Sequence, residues 1–275
     1  MLERLQLGGP PRKVAVVTGG SRGLGKAMAL ALAGAGAEVC IASRTESQLA
    51  EAADEIESAT GRRPLYLTTN VQKRAECDAL IQRTVEQFGR VDILVNNAGI
   101  GDSRGAGANF LDISDDDWLD TIEVNLHSTF YCSRAGIRHM VGRRGGGVVL
   151  NIASGNGRRA SPHLFGYGAA KAGVISLTQS LAAAYVGEGI RVNCIIPGYI
   201  LQRPPETDAQ RAAAGERGRF IAAGRVGEAW ELGPLAVYLC SDAASYVTGE
   251  SFVIDGGGLA GGVAPVGFSM VPSNG

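Results

Sequence analysis

The stretch that decides the fold is residues 14–25, which reads VAVVTGGSRGLG. Val14–Thr18 is short, apolar on both faces and rich in valine, as strands buried in a parallel sheet are. Glycines follow at once at positions 19, 23 and 25, and an apolar helical pattern begins at Leu24. Such glycines let the backbone turn tightly and let a pyrophosphate approach the free N–H groups and positive dipole end of a helix. The strand before and the helix after favour a phosphate-binding loop over a plain strand–helix turn.

Strand-like and helix-like segments alternate along the chain on both sides of this loop. The predicted strands are Val14–Thr18, Glu38–Ser43, Pro64–Asn70, Ile93–Asn96, Gly147–Ile152, Arg191–Ile196 and Ser251–Ile254. The predicted helices are Leu24–Ala35, Glu46–Thr60, Arg74–Phe88, Asp115–Val141, Tyr167–Gly187 and Glu228–Leu239, with Ser114 as the N-cap of the fourth. This order predicts an α/β fold, a doubly wound parallel sheet of about seven strands with helices on both faces. No repeat or long linker divides the chain, so residues 1–275 are predicted to form a single dinucleotide-binding catalytic domain.

Three segments fall outside this alternation. Ile100–Ile113 is a glycine-rich loop, and residues 260–275 form a Gly/Pro tail for which order and disorder both remain open. Tyr199–Ala223 carries Pro204 and Pro205 and then a polar, alanine-rich run. This composition predicts a weakly packed, mobile helical flap at the end of the sheet where a substrate enters.

The composition excludes several classes of function. Lys and Arg (26) balance Asp and Glu (27), which argues against nucleic-acid or membrane binding driven by bulk charge. No apolar run approaches the ~18–20 residues of a membrane span. The five cysteines are widely spaced and no signal peptide is evident, so free thiols in a cytoplasmic protein are expected. The three histidines make no ligand spacing, and no metal site is expected.

Two later motifs carry candidate chemistry. Tyr167 and Lys171 are four residues apart on a predicted helix and therefore share a face, and Ser154 follows the fifth strand. An ammonium beside a phenol favours the phenolate, so Lys171 is expected to lower the pKa of Tyr167. A lone Tyr-x3-Lys pair is usually a solvated helix face, but here it accompanies the other motifs. The run Asn96–Gly99 ends the fourth strand, where either a ligand crevice or a plain turn would fit.

Taken together over about residues 10–258, these motifs resemble the short-chain dehydrogenase/reductase family in its single-domain, Rossmann-type branch. The resemblance rests on the Thr-Gly-x3-Gly-x-Gly loop, Asn96–Gly99, Ser154, the Tyr167–Lys171 pair, Asn193 with Pro197-Gly198, and Asp255-Gly256-Gly257. It implies a catalytic set in which Tyr167 donates or accepts a proton and Ser154 polarises a carbonyl. Lys171 would bind the nicotinamide ribose and tune Tyr167, and Asn125 would hold a water against Lys171.

The resemblance also implies a set of cofactor-binding residues. These are Gly19, Ser21, Arg22, Gly23, Leu24, Gly25, Ser43, Arg44, Asn70, Val71, Asn97, Ala98, Gly99, Tyr167, Lys171, Pro197, Gly198 and Ile200. Two positions depart from the family pattern. Gln202 stands where members often have a Thr that touches the nicotinamide carboxamide, and Asn70 stands where many have Asp.

The end of the second strand bears on which nicotinamide cofactor is bound. Relatives that prefer NAD place an Asp there, where it bonds the ribose 2′-OH. Here the strand ends Ser43-Arg44, which offers a hydroxyl and a guanidinium to a 2′-phosphate, and Arg22 supplies a second cation. The sequence therefore predicts NADP(H) in preference to NAD(H). The alternative is that Arg44 only stacks on adenine or caps the next helix.

The leading functional hypothesis is an NADP(H)-dependent carbonyl reductase or alcohol dehydrogenase that acts on a small-molecule ketone or secondary alcohol and assembles as a homotetramer. A 3-oxoacyl-carrier-protein reductase is the main alternative, with Arg138, Arg143 and Arg144 as a patch for an acidic carrier or simply as solvated surface. A cofactor-binding regulator without turnover is disfavoured because the catalytic set is complete. Enoyl reduction is disfavoured by Ser154 and by the spacing of four between Tyr167 and Lys171.

Overall fold

A computed structural model gives the structure of residues 2–101 and 109–261. Its strands are β1 (Val14–Thr18), β2 (Glu38–Ser43), β3 (Leu65–Thr68), β4 (Ile93–Asn96), β5 (Gly147–Ile152), β6 (Ile190–Pro197), β7 (Ile200–Leu201), β8 (Gly227–Glu228) and β9 (Ser251–Ile254). Its α-helices are α1 (Gly23–Gly34), α2 (Glu46–Thr60), α3 (Arg74–Phe88), α4 (Asp115–Ile122), α5 (Ser128–Arg143), α6 (Phe165–Tyr185), α7 (Asp208–Gly218) and α8 (Gly233–Cys240). The tail predicted from residue 260 lies almost wholly outside the described residues, as does half of the Ile100–Ile113 loop.

Seven strands form one parallel sheet in the order β3-β2-β1-β4-β5-β6-β9, which confirms the predicted doubly wound fold. The chain fills one side of the sheet from β1 to β3 and then crosses to β4 on the other side of β1. Ligands of such sheets bind in the crevice at this reversal, outside the carboxyl ends of the strands. The fold therefore places β1 and β4, with the motifs that follow them, at one crevice.

The sheet buries both of its faces. Ala15 and Val17 of β1 belong to one apolar cluster with Met28 of α1, whereas Val16 belongs to another with Leu80 of α3. Because successive strand residues point to opposite faces, a continuous apolar run is what a strand covered by helices on both sides requires. The apolar runs of the sequence thus indicate a sheet that is covered by helices on both faces.

Most predicted elements are confirmed to within two residues at each end, but two helices differ. The segment predicted as one helix over 115–141 contains a π-helical turn, Glu123–His127, between α4 and α5. Side chains bond carbonyls of the helical ladder here: Asn125 Nδ2 donates to the Thr121 carbonyl at 2.9 Å, and Ser128 Oγ bonds the Val124 carbonyl. The other difference is at 229–232, where a 3₁₀ turn precedes α8. Ser114 caps α4 as predicted, accepting from the Asp117 N–H at 3.1 Å.

The segment predicted as a flap contains α7 and is anchored at both ends. The Gly227 N–H donates to the Tyr199 carbonyl at 3.0 Å, and the Ala223 N–H donates to the Gly256 carbonyl at 2.9 Å. Its own small apolar cluster joins Ala214, Ile221 and Val226. The helical part of the prediction is confirmed, and its mobility stays a prediction.

Candidate active site

A cavity of about 620 Å³ opens at the carboxyl ends of the central strands, at the crevice that the topology defines. None of the described residues that line it is acidic, and three are cationic, namely Arg22, Arg44 and Lys171. The remaining lining residues are Gly19, Ser21, Leu24, Ser43, Thr45, Gln48, Thr69, Asn70, Val71, Gln72, Asn97, Ala98, Gly99, Ile100, Gly101, Val124, Ile152, Ala153, Tyr167 and Gln202. The charge balance of this lining suits an anionic ligand.

Lys171 and Tyr167 project from α6 at one end of the cavity. Lys171 is 4% exposed, and its Nζ donates to the Ile152 carbonyl at 3.0 Å. The ammonium lies 5.6 Å from the centre of the Tyr167 ring, as their four-residue spacing predicts. Burial disfavours the charged form and lowers the pKa of Lys171 to about 8. A cation close to a phenol and titrating near neutrality is suited to proton transfer through Tyr167.

Asn125 approaches Lys171 through the π-helical turn. Its Nδ2 donates to the Ile100 carbonyl at 2.8 Å, and its Oδ1 accepts from the Ile100 N–H at 3.3 Å. Gly99 separates the two side chains: a Cβ there would lie 2.7 Å from Asn125 Oδ1 and 3.3 Å from Lys171 Nζ. Only a residue without a side chain lets both polar groups converge at this point. The sequence identified Asn125 and Gly99, but not the π turn that brings Asn125 to the site.

Ser154 begins the loop that follows β5. Its Oγ accepts from the Asn156 N–H at 3.2 Å, which leaves the hydroxyl hydrogen able to donate. The loop packs on α6 at Lys171 itself, because Gly157 lies against the Lys171 and Ala172 backbone. Ser154 does not line the cavity, although its neighbour Ala153 does. Ser154 therefore starts a loop that packs on α6, and its catalytic role stays a prediction.

Thr18 joins the phosphate-binding loop to the run Asn96–Gly99. Its Oγ1 accepts from the N–H groups of Asn97 at 3.0 Å and Ala98 at 3.1 Å. In return, Asn97 Nδ2 donates to the carbonyls of Thr18 at 3.0 Å and Gly19 at 3.2 Å. Gly25 fits beneath this junction, where a Cβ would collide with the Gly19 carbonyl and Asn97 Nδ2. The run after β4 therefore holds the loop in place rather than forming a plain turn. This role of Thr18 was not predicted from the sequence.

The opposite end of the cavity, beside the end of β2, fits a phosphate. Ser43 Oγ is buried there and has no hydrogen-bond partner among the described residues. Arg44 and Arg22 are exposed, line the same cavity and make no ion pair within the described part of the chain. A buried hydroxyl without a partner is costly, and an anionic oxygen between two guanidinium groups would relieve that cost. The donors present here match a ribose 2′-phosphate.

The structure brings together most of the predicted cofactor residues but not all of them. Gly25 lies beneath the loop, and Gly23, Pro197, Gly198 and Ile200 do not line the cavity. Gly198 packs on Asp255, and Ile200 packs on the core beside Gly227. The cavity lining also includes Thr45, Gln48 and Gln72, which were not predicted from the sequence. The only feature of the sequence that could have indicated them is their proximity to Arg44 and Asn70.

Comparison with known proteins agrees with this fold. A family model described as Enoyl-(Acyl carrier protein) reductase matches residues 19–258. Over 254 residues the chain is 39% identical to 2-dehydro-3-deoxy-D-gluconate 5-dehydrogenase of Escherichia coli, covering 90% of this chain and 96% of that protein. It is equally 39% identical to the 3-oxoacyl-(acyl-carrier-protein) reductase FabG of Escherichia coli, over 89% and 96% of the two chains. A short-chain type dehydrogenase/reductase from Mycobacterium marinum superposes with a TM-score of 0.83 at 33% identity, covering 94% of this chain and 98% of that one.

The fold and the site together define an oxidoreductase that uses a nicotinamide cofactor. The chain belongs to the short-chain dehydrogenase/reductase family, as the sequence motifs predicted. Within the described residues, no helix is both long and apolar enough to cross a membrane.

Proposed function

We propose that this protein is an NADP(H)-dependent oxidoreductase that interconverts ketones and secondary alcohols. The observation that carries the proposal is the buried Lys171 ammonium beside the Tyr167 ring, at the inner end of a cavity whose described lining contains no acidic residue. This arrangement supports a proton exchange at a substrate oxygen, which is the half of the reaction that the protein itself performs.

Each catalytic residue has a distinct task in this proposal. The nicotinamide cofactor supplies or accepts the hydride when bound. Tyr167 gives its hydroxyl proton to the carbonyl oxygen in reduction, or takes it from the alcohol in oxidation. Lys171 stabilises the tyrosinate that results, and Ser154 donates to the substrate oxygen as negative charge develops there. Asn125 fixes the backbone at Ile100 beside Lys171 and so holds the inner wall of the site.

The preference for NADP(H) rests on the end of β2. Ser43 Oγ, Arg44 and Arg22 offer a hydroxyl and two guanidinium groups to a 2′-phosphate, and none of the described residues lining this part of the cavity carries a carboxylate. An NAD-specific site would instead accept hydrogen bonds from the ribose hydroxyls through an acidic side chain.

The substrate side favours neutral ketones with a moderately bulky apolar group. Phe165, two residues before Tyr167, packs edge-on against Phe110 with ring centres 5.1 Å apart. Phe110 is 60% exposed, so an apolar substrate group could cover it. Arg158 and Arg159 instead bond the backbone carbonyls of Ser251 and Gly258, which argues against their serving as carboxylate clamps.

The experiment is a panel of ketones and alcohols followed with both cofactors. We expect the kcat/KM for NADPH with a cyclic or aryl ketone to exceed that for a small 2-oxo acid. A preference for the 2-oxo acid would contradict the apolar site and bring Arg158 or Arg203 forward as an anchor. Absence of turnover with every carbonyl, despite tight NADPH binding, would favour the regulator hypothesis.

A second candidate, 3-oxoacyl-carrier-protein reduction, is favoured by the similarity to FabG. The predicted carrier-binding patch of Arg138, Arg143 and Arg144 is incomplete, because Arg143 Nη2 already forms an ion pair with buried Asp92 at 2.8 Å. That cluster also lies beside the start of β5, at the amino ends of the strands, whereas the cavity opens at their carboxyl ends. Including a 3-oxoacyl thioester and an enoyl thioester in the panel separates this candidate from simple ketone reduction and from double-bond reduction.

The cytoplasmic location and the limits of the single domain stay predictions.

A further inference from the structure

Two of the five cysteines, Cys77 of α3 and Cys132 of α5, meet in the core of the chain. They are 0% and 1% exposed, belong to the same apolar cluster, and are joined by a hydrogen bond between their thiols. Both thiols are free, and Cys77 Sγ also donates to the Val71 carbonyl at 3.3 Å. Two helices that pack on one another therefore hold a pair of thiols in contact.

The two thiols differ in acidity. The hydrogen bond with Cys132 lowers the pKa of Cys77 below that of an ordinary thiol, and it raises the pKa of Cys132 well above that value. In the three cysteines without a thiol partner, burial raises the pKa to about 12 for Cys40, about 11 for Cys194 and about 12 for Cys240. Because the thiolate is the reactive form of cysteine, Cys77 is the nucleophile of the pair and Cys132 is its neutral partner.

The surroundings of Cys77 also favour negative charge. Cys77 lies in the first turn of the 15-residue helix α3, whose amino end carries a positive dipole. The nearby Arg134 guanidinium favours the thiolate, and its buried Nε and Nη2 have no hydrogen-bond partner within the described residues. The carboxylates of Glu76 and Asp78 act in the opposite direction. A thiolate at Cys77 would therefore bring negative charge close to two buried donors that need it.

Cys77 lies close to the surface on one side and to the cofactor cavity on the other. Residues 73–75, directly before it, are exposed, so a small opening of the first turn of α3 admits solvent to the thiol. The carbonyl that Cys77 contacts belongs to Val71, which lines the cavity together with Asn70 and Gln72. A change at the thiol can therefore move the wall against which a cofactor would lie.

We propose that Cys77 and Cys132 form a reversible disulfide site, oxidised by a hydroperoxide, whose state changes the affinity of the chain for its dinucleotide. With hydrogen peroxide, the Cys77 thiolate attacks one oxygen, so that a sulfur–oxygen bond forms, the oxygen–oxygen bond breaks and hydroxide leaves. Cys132 then attacks the Cys77 sulfur, the sulfur–sulfur bond forms, and the sulfenic oxygen leaves as water with the Cys132 proton. The two thiols lose two electrons and the peroxide gains them. An added dithiol reverses the change by exchange.

Formation of the disulfide should weaken cofactor binding. The thiol hydrogen that Cys77 donates to the Val71 carbonyl is lost, and the two sulfurs must close to the ~2.05 Å of a disulfide. One hydrogen bond is worth about 2- to 10-fold in an equilibrium, and we expect the Kd to rise by that factor. The residues proposed to bind the 2′-phosphate are not involved, so NADPH and NADH should be affected alike. This consequence rests on the proposed use of a dinucleotide cofactor, whereas the disulfide itself does not.

The test treats the reduced full-length chain with a small excess of hydrogen peroxide and then removes the oxidant. We expect two of the five thiols to disappear, the mass to fall by two hydrogens, and a peptide map without reductant to show residues 77 and 132 joined. The Kd values for NADPH and NADH are measured by titration before and after oxidation. A dithiol should restore both the thiols and the original Kd values.

Three variants assign the roles of the thiols. Cys132→Ala should stop at a sulfenic acid on Cys77, which the reagent dimedone traps, and Cys77→Ala should leave Cys132 unoxidised. Cys240→Ala, the control, removes an equally buried thiol that has no thiol partner, and it should still form the disulfide.

Two results would overturn the inference. One is wild-type protein in which Cys77 and Cys132 are not joined after treatment, whether the thiols survive or are lost in other ways. The other is a disulfide between Cys77 and Cys132 that leaves both Kd values unchanged. A chain that binds NADPH and shows the expected disulfide and shift in Kd, but reduces no ketone, would leave this inference intact while contradicting the proposed function.

Discussion

Lys171 shows how burial changes the acid–base properties of a single residue. Its ammonium is removed from water and bonded to the Ile152 carbonyl, and this burial lowers its pKa to about 8. The folded chain therefore holds the Lys171 proton less tightly than the unfolded chain does. The same burial places the charge close to Tyr167 with little screening, so its influence on the phenol is strong.

Replacing Lys171 by Met should change how the free energy of unfolding depends on pH, because the variant lacks the buried amine. Between pH 8 and 10.5 the unfolded wild type binds one more proton than the folded form, so its free energy of unfolding rises with pH. Over this range the free energy of unfolding of the wild type should rise by about 3 kcal/mol relative to that of Lys171→Met. The kcat of the variant should fall by at least ~10²-fold. Urea unfolding at several pH values, without cofactor, measures the first effect. A stability difference that stays constant with pH would contradict it.

Arg44 should determine the choice between the two cofactors. Arg44→Asp sets a carboxylate against the 2′-phosphate, and loss of a charge-assisted contact costs about 1.5–3 kcal/mol, or about 10- to 150-fold. We expect kcat/KM for NADPH to fall by that factor while the value for NADH changes little. Arg138→Asp, an exposed arginine on α5, is the control. If NADPH turnover survives Arg44→Asp, the phosphate is bound elsewhere.

At the level of elements, the site depends on junctions between segments that are remote in sequence. Thr18 at the end of β1 holds the residues after β4, and the π turn between α4 and α5 holds Ile100 through Asn125. Such junctions position several backbone groups with one side chain, so their loss affects the geometry of a whole loop. Stability and cofactor affinity should therefore change together when a junction is broken.

Thr18 offers the sharpest test of such a junction. Thr18→Val keeps the shape of the side chain but leaves the Asn97 and Ala98 N–H groups without their acceptor. A buried donor without an acceptor costs about 1–3 kcal/mol, and these two are half-buried, so we expect about 2 kcal/mol of destabilisation and weaker binding of both cofactors. Thr18→Ser retains the hydroxyl and is expected to behave nearly as the wild type. If Thr18→Val and Thr18→Ser had the same free energy of unfolding in denaturant, the Thr18 hydroxyl would not be needed for stability.

For the whole molecule, exposed apolar side chains on α4 and α5 indicate a contact surface. Leu119 is 50% exposed, Phe130 43% and Trp118 38%, more than scattered surface residues would provide. On α6, Ala169 and Ala172 are exposed, but Ala170 and Val174 are buried in the core of the chain itself. The exposed apolar surface that supports the predicted homotetramer is therefore formed mainly by α4 and α5.

Light scattering at micromolar concentration should give about four times the 28.5 kDa mass of the chain. Phe130→Glu should lower that mass, because it places a charge within an apolar contact. Gln82→Glu, on the exposed part of α3, is the matched control. A monomeric wild type would contradict the tetramer, and an unchanged mass for Phe130→Glu would place the contact elsewhere.

The sequence by itself determined the layered fold, the phosphate-binding loop and the Tyr167–Lys171 pair. These features are local: buried strands are apolar over four to eight residues, and a spacing of four places two side chains on one helical face. The ends of most elements followed from the same periodicity. The helix over 115–141 did not, because hydrophobic spacing carries no sign of the carbonyl bonds made by Asn125 and Ser128.

Only the tertiary structure decided which remote residues meet. Thr18 and Asn97 are 79 positions apart, and Arg143 bonds Asp92 across 51 positions. Gln202 reaches Gly23 only because the flap returns over the carboxyl ends of the strands. Each of these contacts is made possible by the packing of the sheet and its helices rather than by local preference. A single sequence contains both partners of such a contact, but no periodicity links them.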